Sequence, residues 1–387
     1  MYLKQVVLLL ALPALSWSAP VSDPRAAIGL YLAYDSNVYN GRGPDGVMRI
    51  APQLDWELRS LRHQLEIGYR LGLWIYGDHK ADNSINHQLG LSIHTRATQR
   101  LDLRLSYELV RAQDPAFLIR AGVVAPQTGI FDHFAQASLG YRMARRVDGE
   151  AGYGFRDTSF DPFPGVQLHD GSEHQGHLAI GWRAGRLDDL RIEHQLHYFL
   201  VDGRSFAIAN SAQGGWRHRF LSTLEFAIHL GPVGYSSLDP VSPSGLTWCG
   251  RARLRLDGST AHLPWRIHLI AARDLGSGTG AGAVLWVDYA ALQASLRWPR
   301  RMNLGTSLAY FANGIAPSES RRFDGFTYEA VADLDLGHSL RAGAFYSFRW
   351  QESVAGAPLP DVTRHIVGIH IESVWRPNPP RHPEVEP

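Results

Sequence analysis

Histidine is the residue type with the widest chemical reach in this sequence, with 18 in 387 positions, and two groups lie close enough to suggest shared sites. One comprises His169, His174 and His177; the other is His194 with His197. Imidazoles at such spacings can ligate zinc. On a strand, however, positions 174 and 177 have opposite parity and point to opposite faces. The spacing therefore favours histidines in wet loops or a hydrated interior, and no metal is expected. Ser205, His169 and Asp170 supply the residue types of a hydroxyl nucleophile, its base and an orienting acid. Nothing in their spacing separates them from the polar residues around them. GxSxG, HExxH and a phosphate-binding loop are absent, and no GxGxxG stands in a strand-turn-helix setting. A single cysteine, Cys249, leaves no disulfide framework and no thiolate metal site. The formal charge of +1 provides no basic field for nucleic acid. The expectation is a protein without catalytic residues or cofactor.

Charged residues show a different regularity, recurring at even intervals within short stretches. Examples are Asp55 and Glu57, Glu66 and Arg70, Asp102, Arg104 and Glu108, Arg191 and Glu193, and Arg251, Arg253 and Arg255. Arg49, Trp74, Glu329, Asp333, Arg341 and Arg349 fit the same parity in their own stretches. All are expected to line one interior. Buried charges of both signs must be hydrated or paired, so this interior is wet or laced with salt bridges, and strong ion selectivity is not expected. Inward aromatics (Trp74, Phe134, Phe311, Phe345) could stack on sugar rings or block passage, and the residues alone leave both open.

The element that presents these side chains is plainest at Arg100 to Val110, RLDLRLSYELV. Leu101, Leu103, Leu105, Tyr107 and Leu109 share one face; Asp102, Arg104, Ser106 and Glu108 share the other. The pattern recurs from Ala26 to Trp375. Many long strands, each with one apolar and one charged face, suit an all-β, transmembrane, antiparallel up-and-down barrel in a bacterial outer membrane, with lipid outside and polar groups within. About 18 strands are expected, among them Ala26–Asp35, Asp188–Leu200, Asn210–Phe220 and Val362–Trp375. Short turns alternate with longer loops, and an even count puts both termini at the short-turn, periplasmic end. Aromatics near strand ends, including Trp56, Tyr69, Tyr107, Trp182, Trp216, Trp265, Tyr289 and Trp375, are expected as interfacial girdles in contact with outer-membrane lipid.

Three segments complete the division of the chain. Residues 1–18, with Lys4 and an apolar run from Val6 to Leu15, read as a signal peptide. Residues 19–375 form the barrel, and the Pro-rich stretch 376–387 reads as a disordered periplasmic tail. The longest loop, Gln113 to Ile130, is apolar for an exposed tip; Phe117, Leu118 and Arg120 could fold from it into the interior as a constriction or pack at the rim.

The N-terminal third resembles the outer-membrane porin group labelled beta-barrel porin 2. The matching stretches are Tyr34-Asp35-Ser36-Asn37-Val38-Tyr39, Ile50-Ala51-Pro52-Gln53-Leu54, His63 to Arg70, Asn86-His87-Gln88-Leu89 and Leu105 to Pro115. The resemblance implies a non-enzymatic conduit for a secreted exopolysaccharide or capsular polysaccharide. Its partners would be a periplasmic polysaccharide-export protein and an inner-membrane polymerase and co-polymerase. It brings no catalytic residues. The expectation is that export conduit, whose hydrated, mixed-charge interior suits a neutral polymer; the alternative is a general diffusion porin for small solutes, and a barrel enzyme or a closed structural anchor is less favoured.

Overall fold

A computed structural model describes residues 21–37, 43–113, 129–162, 168–238, 244–260, 263–278, 283–298, 301–316, 320–337, 339–353 and 361–376. The expected signal peptide, the loop residues Phe117, Leu118 and Arg120, and the tail after residue 376 lie outside these residues.

Among the described residues the chain forms eighteen strands. They are β1 (Val21–Asp35), β2 (Asp45–Arg59), β3 (His63–Tyr76), β4 (Ser84–Arg96), β5 (Leu101–Ala112), β6 (Ile130–Arg142), β7 (Val147–Phe160), β8 (Gly171–Arg183) and β9 (Asp188–Val201). There follow β10 (Arg204–Leu221), β11 (Leu224–Ser237), β12 (Gly245–Thr260), β13 (Leu263–Gly278), β14 (Ala283–Trp298), β15 (Met302–Ile315), β16 (Ser320–Asp335), β17 (Leu340–Ser353) and β18 (Val362–Trp375). Each strand pairs antiparallel with the next, and β18 returns to β1, with Ala26 opposite Trp375 and Asp35 opposite Ile366. The sheet is a closed barrel and has no open edge.

Several strands run further than expected, and two strand starts among them have a clear local cause or consequence. β1 begins at Val21 rather than Ala26, extending the pairing with β2 down to Arg59. β10 begins at Arg204 rather than Asn210, because Asp202 and Gly203 both take positive φ (49° and 72°) and turn the chain in two residues. An Asp-Gly pair is the signature of a type I′ hairpin, whose twist matches that of its strands. This is the one tight hairpin among the described residues at the end that otherwise carries the longer connections.

Alternation decides which side chain meets which solvent. Outside stand Ile28, Leu30 and Leu32 on β1, Leu178 and Ile180 on β8, Ile192 on β9 (72% exposed) and Leu246 on β12 (77% exposed). In water so continuous an apolar surface would be unfavourable by roughly 25 cal/mol per Å². In a bilayer it is the required surface. Tryptophans mark the short-turn end. Trp56, Trp216 and Trp265 donate from Nε1 to Ser22 Oγ (3.0 Å), an Asp188 carboxylate oxygen (3.0 Å) and Thr260 Oγ1 (3.2 Å). One girdle residue is misplaced by the sequence reading: Tyr289 pairs with Ala272 and Phe311 and faces inward.

Candidate functional site

The interior is built by the even-spaced charges, and its two sides differ. On β12, Arg251, Arg253 and Arg255 point inward at successive alternate positions, about 7 Å apart along the strand. All three are exposed to the interior space. Arg255 is held by Asp257 at 2.7 Å. Among the described residues Arg251 and Arg253 form no ion pair. They face a cavity of about 640 Å³ in the short-turn half of the barrel, which Asp102 and Arg104 also line. Asp274 on the neighbouring strand β13 lines the same cavity and interacts electrostatically with Arg251, while carboxylates of β7 and β9 are engaged by other arginines. Arg191 bonds Glu150 at 2.9 Å and Glu193 at 3.2 Å, and Arg217 bonds Asp189. Two unpaired guanidiniums thus stay available to an anion, for which their planar donor fork is suited.

A second cavity, of about 540 Å³, is walled by β1 to β6, the last through Phe134. Here the partners of the carboxylates are mostly amides. Gln53 donates to Asp55 (2.5 Å), Gln64 to Glu66 (2.6 Å) and to Glu57 (3.2 Å), and Gln88 to Glu108 (2.8 Å). An amide satisfies a carboxylate oxygen without cancelling its charge. Glu57 also has Arg59 at 2.6 Å, Asp23 is held by Arg25 at 2.5 Å, and Arg70 adds a further cation to this wall. In a closed barrel of eighteen strands, nine steps separate β3 from β12 in either direction. The amide-bound carboxylates and the unpaired arginines therefore stand across the interior from one another.

Towards the long-connection end the inward side chains close on each other. The Arg49 guanidinium lies over Tyr31 (4.8 Å) and Trp74 (5.2 Å), and Tyr31 stacks on His370 at 5.3 Å. His370 reaches Asp333 at 3.0 Å. At the opposite, short-turn end, Arg341 sits between Asp335 (3.1 Å) and Glu372 (3.6 Å). Glu329 is exposed, and Arg349 lies between Thr327 and Arg364 in register. Arg364 and Asp35 form a buried pair across the β18–β1 seam. These aromatic faces are thus covered by neighbouring cations and imidazoles.

The histidines divide as their parity requires. His174 is on the outer face with Tyr153, whereas His177 is inside, 3.5 Å from Glu150. His169 bonds Asp202 at 2.7 Å, and the Asp170 carboxylate accepts the Phe160 N–H, so both serve the connections around the β9–β10 hairpin. Among the described residues no group of three His, Cys, Asp or Glu side chains is placed to hold a metal ion. Sequence reasoning missed Gln64 and Gln88 of the acidic wall and the Asp35–Arg364 pair. The same alternation marks Gln53, Gln64 and Gln88 as inward, so Gln64 and Gln88 could have been found. The seam pair joins residues 329 positions apart and has no local signal.

An apolar outside, a charged inside and closure after eighteen strands define the fold of outer-membrane porins. Solved structures agree over almost the whole chain. OccK2 (OpdF) of Pseudomonas aeruginosa, crystallised with glucuronate, superposes with a TM-score of 0.50 at 10% identity, over 92% of this chain and 98% of that one. OccAB2 of Acinetobacter baumannii gives 0.47 at 10% identity over the same shares. Pseudomonas aeruginosa OpdK with vanillate gives 0.47 at 8% identity, again over 92% and 98%. At 10% identity the likeness to OccK2 concerns the fold alone. No family model matches the sequence, and no curated protein matches it. The resemblance to the beta-barrel porin 2 group therefore rests on the residues quoted for it alone.

Proposed function

We propose that this chain is a non-enzymatic outer-membrane channel for small polar solutes, with a preference for those carrying a carboxylate. One observation carries the reading: Arg251 and Arg253, unpaired among the described residues, stand across the interior from carboxylates held by glutamine amides. Such walls create a field across the passage, so that a short solute turns its carboxylate to one side and its hydroxyls or amine to the other. The glutamate–glutamine side supplies hydrogen bonds for the second end of the solute. OccK2, a barrel of this fold, has been crystallised with glucuronate, a small sugar acid. The arginine wall here supplies the chemistry for such a ligand, and the reading rests on that wall rather than on the likeness. Polysaccharide export, with its periplasmic and inner-membrane partners, is what the sequence resemblance implies. A long polymer is served by repeated weak sites along its path, whereas opposed charged walls orient a short solute, and that favours the small-solute reading.

The test is conductance of the purified barrel in planar bilayers, with swelling of proteoliposomes in a neutral sugar and in the sugar acid of the same size. The isolated protein should conduct, and the sugar acid should enter faster than charge-neutral diffusion allows. Arg251→Glu with Arg253→Glu should remove that advantage and lower the anion-to-cation permeability ratio several-fold. A barrel that conducts nothing alone, and whose deletion strips polysaccharide from the cell surface, would overturn the proposal and return the export reading.

A further inference from the structure

Four tyrosine–histidine pairs repeat on the outer face with the same geometry. Tyr69 meets His87 Nδ1 at 2.8 Å, Tyr107 meets His133 at 2.9 Å, Tyr153 meets His174 at 2.6 Å and Tyr346 meets His365 at 2.8 Å. Each histidine is the fourth residue of a strand descending from the long-connection end. Each tyrosine stands two residues before the partner of that histidine in the preceding strand: Leu71, Leu109, Phe155 and Phe348. The pairs therefore lie at one level of the barrel, on the arc from β17 through β1 to β8. With the short turns at the periplasm, that level is the extracellular interface.

Two physical features ask for a ligand there. A tyrosine hydroxyl donating to Nδ1 leaves the ring hydrogen on Nε2. Among the described residues none of the four Nε2 atoms has a partner, and each stands on the outer surface at the headgroup level, open to a polar group of the membrane. The second feature is an apolar groove of about 590 Å³ on the membrane face, which begins at Tyr346 and Val367 and runs past Ala344, Ala332, Ala330 and Leu304. The Tyr346–His365 pair thus adjoins a trough of small side chains wide enough to receive an acyl chain.

We propose that the Tyr–His pairs form a docking ring for a phosphorylated lipid of the outer leaflet, each Nε2 donating to a lipid phosphate oxygen, with an acyl chain in the groove below Tyr346. A phosphate is favoured over a neutral ester because charge-assisted bonds to imidazole are the stronger, and because the imidazole can take up a proton beside an anion. The chemistry would serve a dissolved phosphate equally, but the groove is continuous with the membrane surface and selects the lipid.

The test uses the full barrel in phosphatidylcholine nanodiscs containing diphosphoryl lipid A, the same lipid stripped of its phosphates, or inorganic phosphate alone. Lipid retained by the barrel is counted by native mass spectrometry. Wild type should retain diphosphoryl lipid A, with the stripped lipid held at least tenfold more weakly. The variant H87F/H133F/H174F/H365F should lose that difference, and His365→Phe alone should lose one molecule. Ala344→Trp, which fills the groove and leaves the pairs intact, should weaken retention at that one position; folding of each variant is followed by its heat-dependent gel mobility. Equal retention of phosphorylated and stripped lipid by wild type would overturn the proposal. So would unchanged retention by the folded quadruple variant, or occupancy of the histidines by inorganic phosphate as readily as by lipid.

Discussion

The barrel seam offers the most quantitative test of how this fold is closed. Asp35 ends β1 and Arg364 is the third residue of β18; their side chains are 1% and 4% exposed. Arg364 Nε donates to both Asp35 oxygens at 3.0 Å, and Nη2 donates to one of them. Beside them Ser36 N–H donates to the His365 carbonyl and His365 N–H to Ser36 Oγ, both at 2.9 Å. Replacing Asp35 by Ala leaves a buried guanidinium without its carboxylate, which costs about 3–5 kcal/mol where such a pair is fully desolvated. Replacing both partners by apolar residues (Asp35→Leu with Arg364→Met) removes the stranded charge and should recover most of the loss. The assay is equilibrium unfolding by guanidinium in detergent micelles, followed by tryptophan fluorescence, with the midpoint shifting and the slope unchanged. A double-mutant cycle should then give a coupling of at least about 1 kcal/mol, the range found for residues in direct contact. A loss below about 1 kcal/mol for Asp35→Ala, or single and double losses that simply add, would refute the reasoning.

Two backbone positions allow further tests. A Cβ at Gly231 would lie 1.8 Å from the Ala212 carbonyl oxygen, a backbone atom of the neighbouring strand, so Gly231→Ala should destabilise the β10–β11 pairing by about 1–3 kcal/mol, read from the unfolding midpoint. Gly203 has φ +72° with open space around it, so Gly203→Ala should cost only the left-handed strain of about 1–2 kcal/mol, while Asp202→Asn, which tolerates the same turn but keeps one acceptor oxygen for the His169 ring and the Asp170 N–H, should cost about 0.5–1.5 kcal/mol in the same assay.

Much of this protein was legible from a period of two. Stretches such as Arg100 to Val110 determine by themselves that one face is apolar and the other charged, because successive side chains of a strand point in opposite directions. From that follow a membrane barrel, the inward parity of Arg251, Arg253 and Glu108, and the opposed faces of His174 and His177. The Asp-Gly pair at 202–203 was equally legible as a hairpin turn, yet the weak alternation of the next residues masked it. What alternation cannot convey is position around the barrel and along its axis, since every strand carries the same local signal. Closure and register decided that β3 stands across from β12, which turns a list of mixed charges into two unlike walls. They also brought Asp35 to Arg364 and set four Tyr–His pairs at one level. Those relations depend on how far each strand slides against its neighbour and on where the sheet meets itself, and both are properties of the whole barrel.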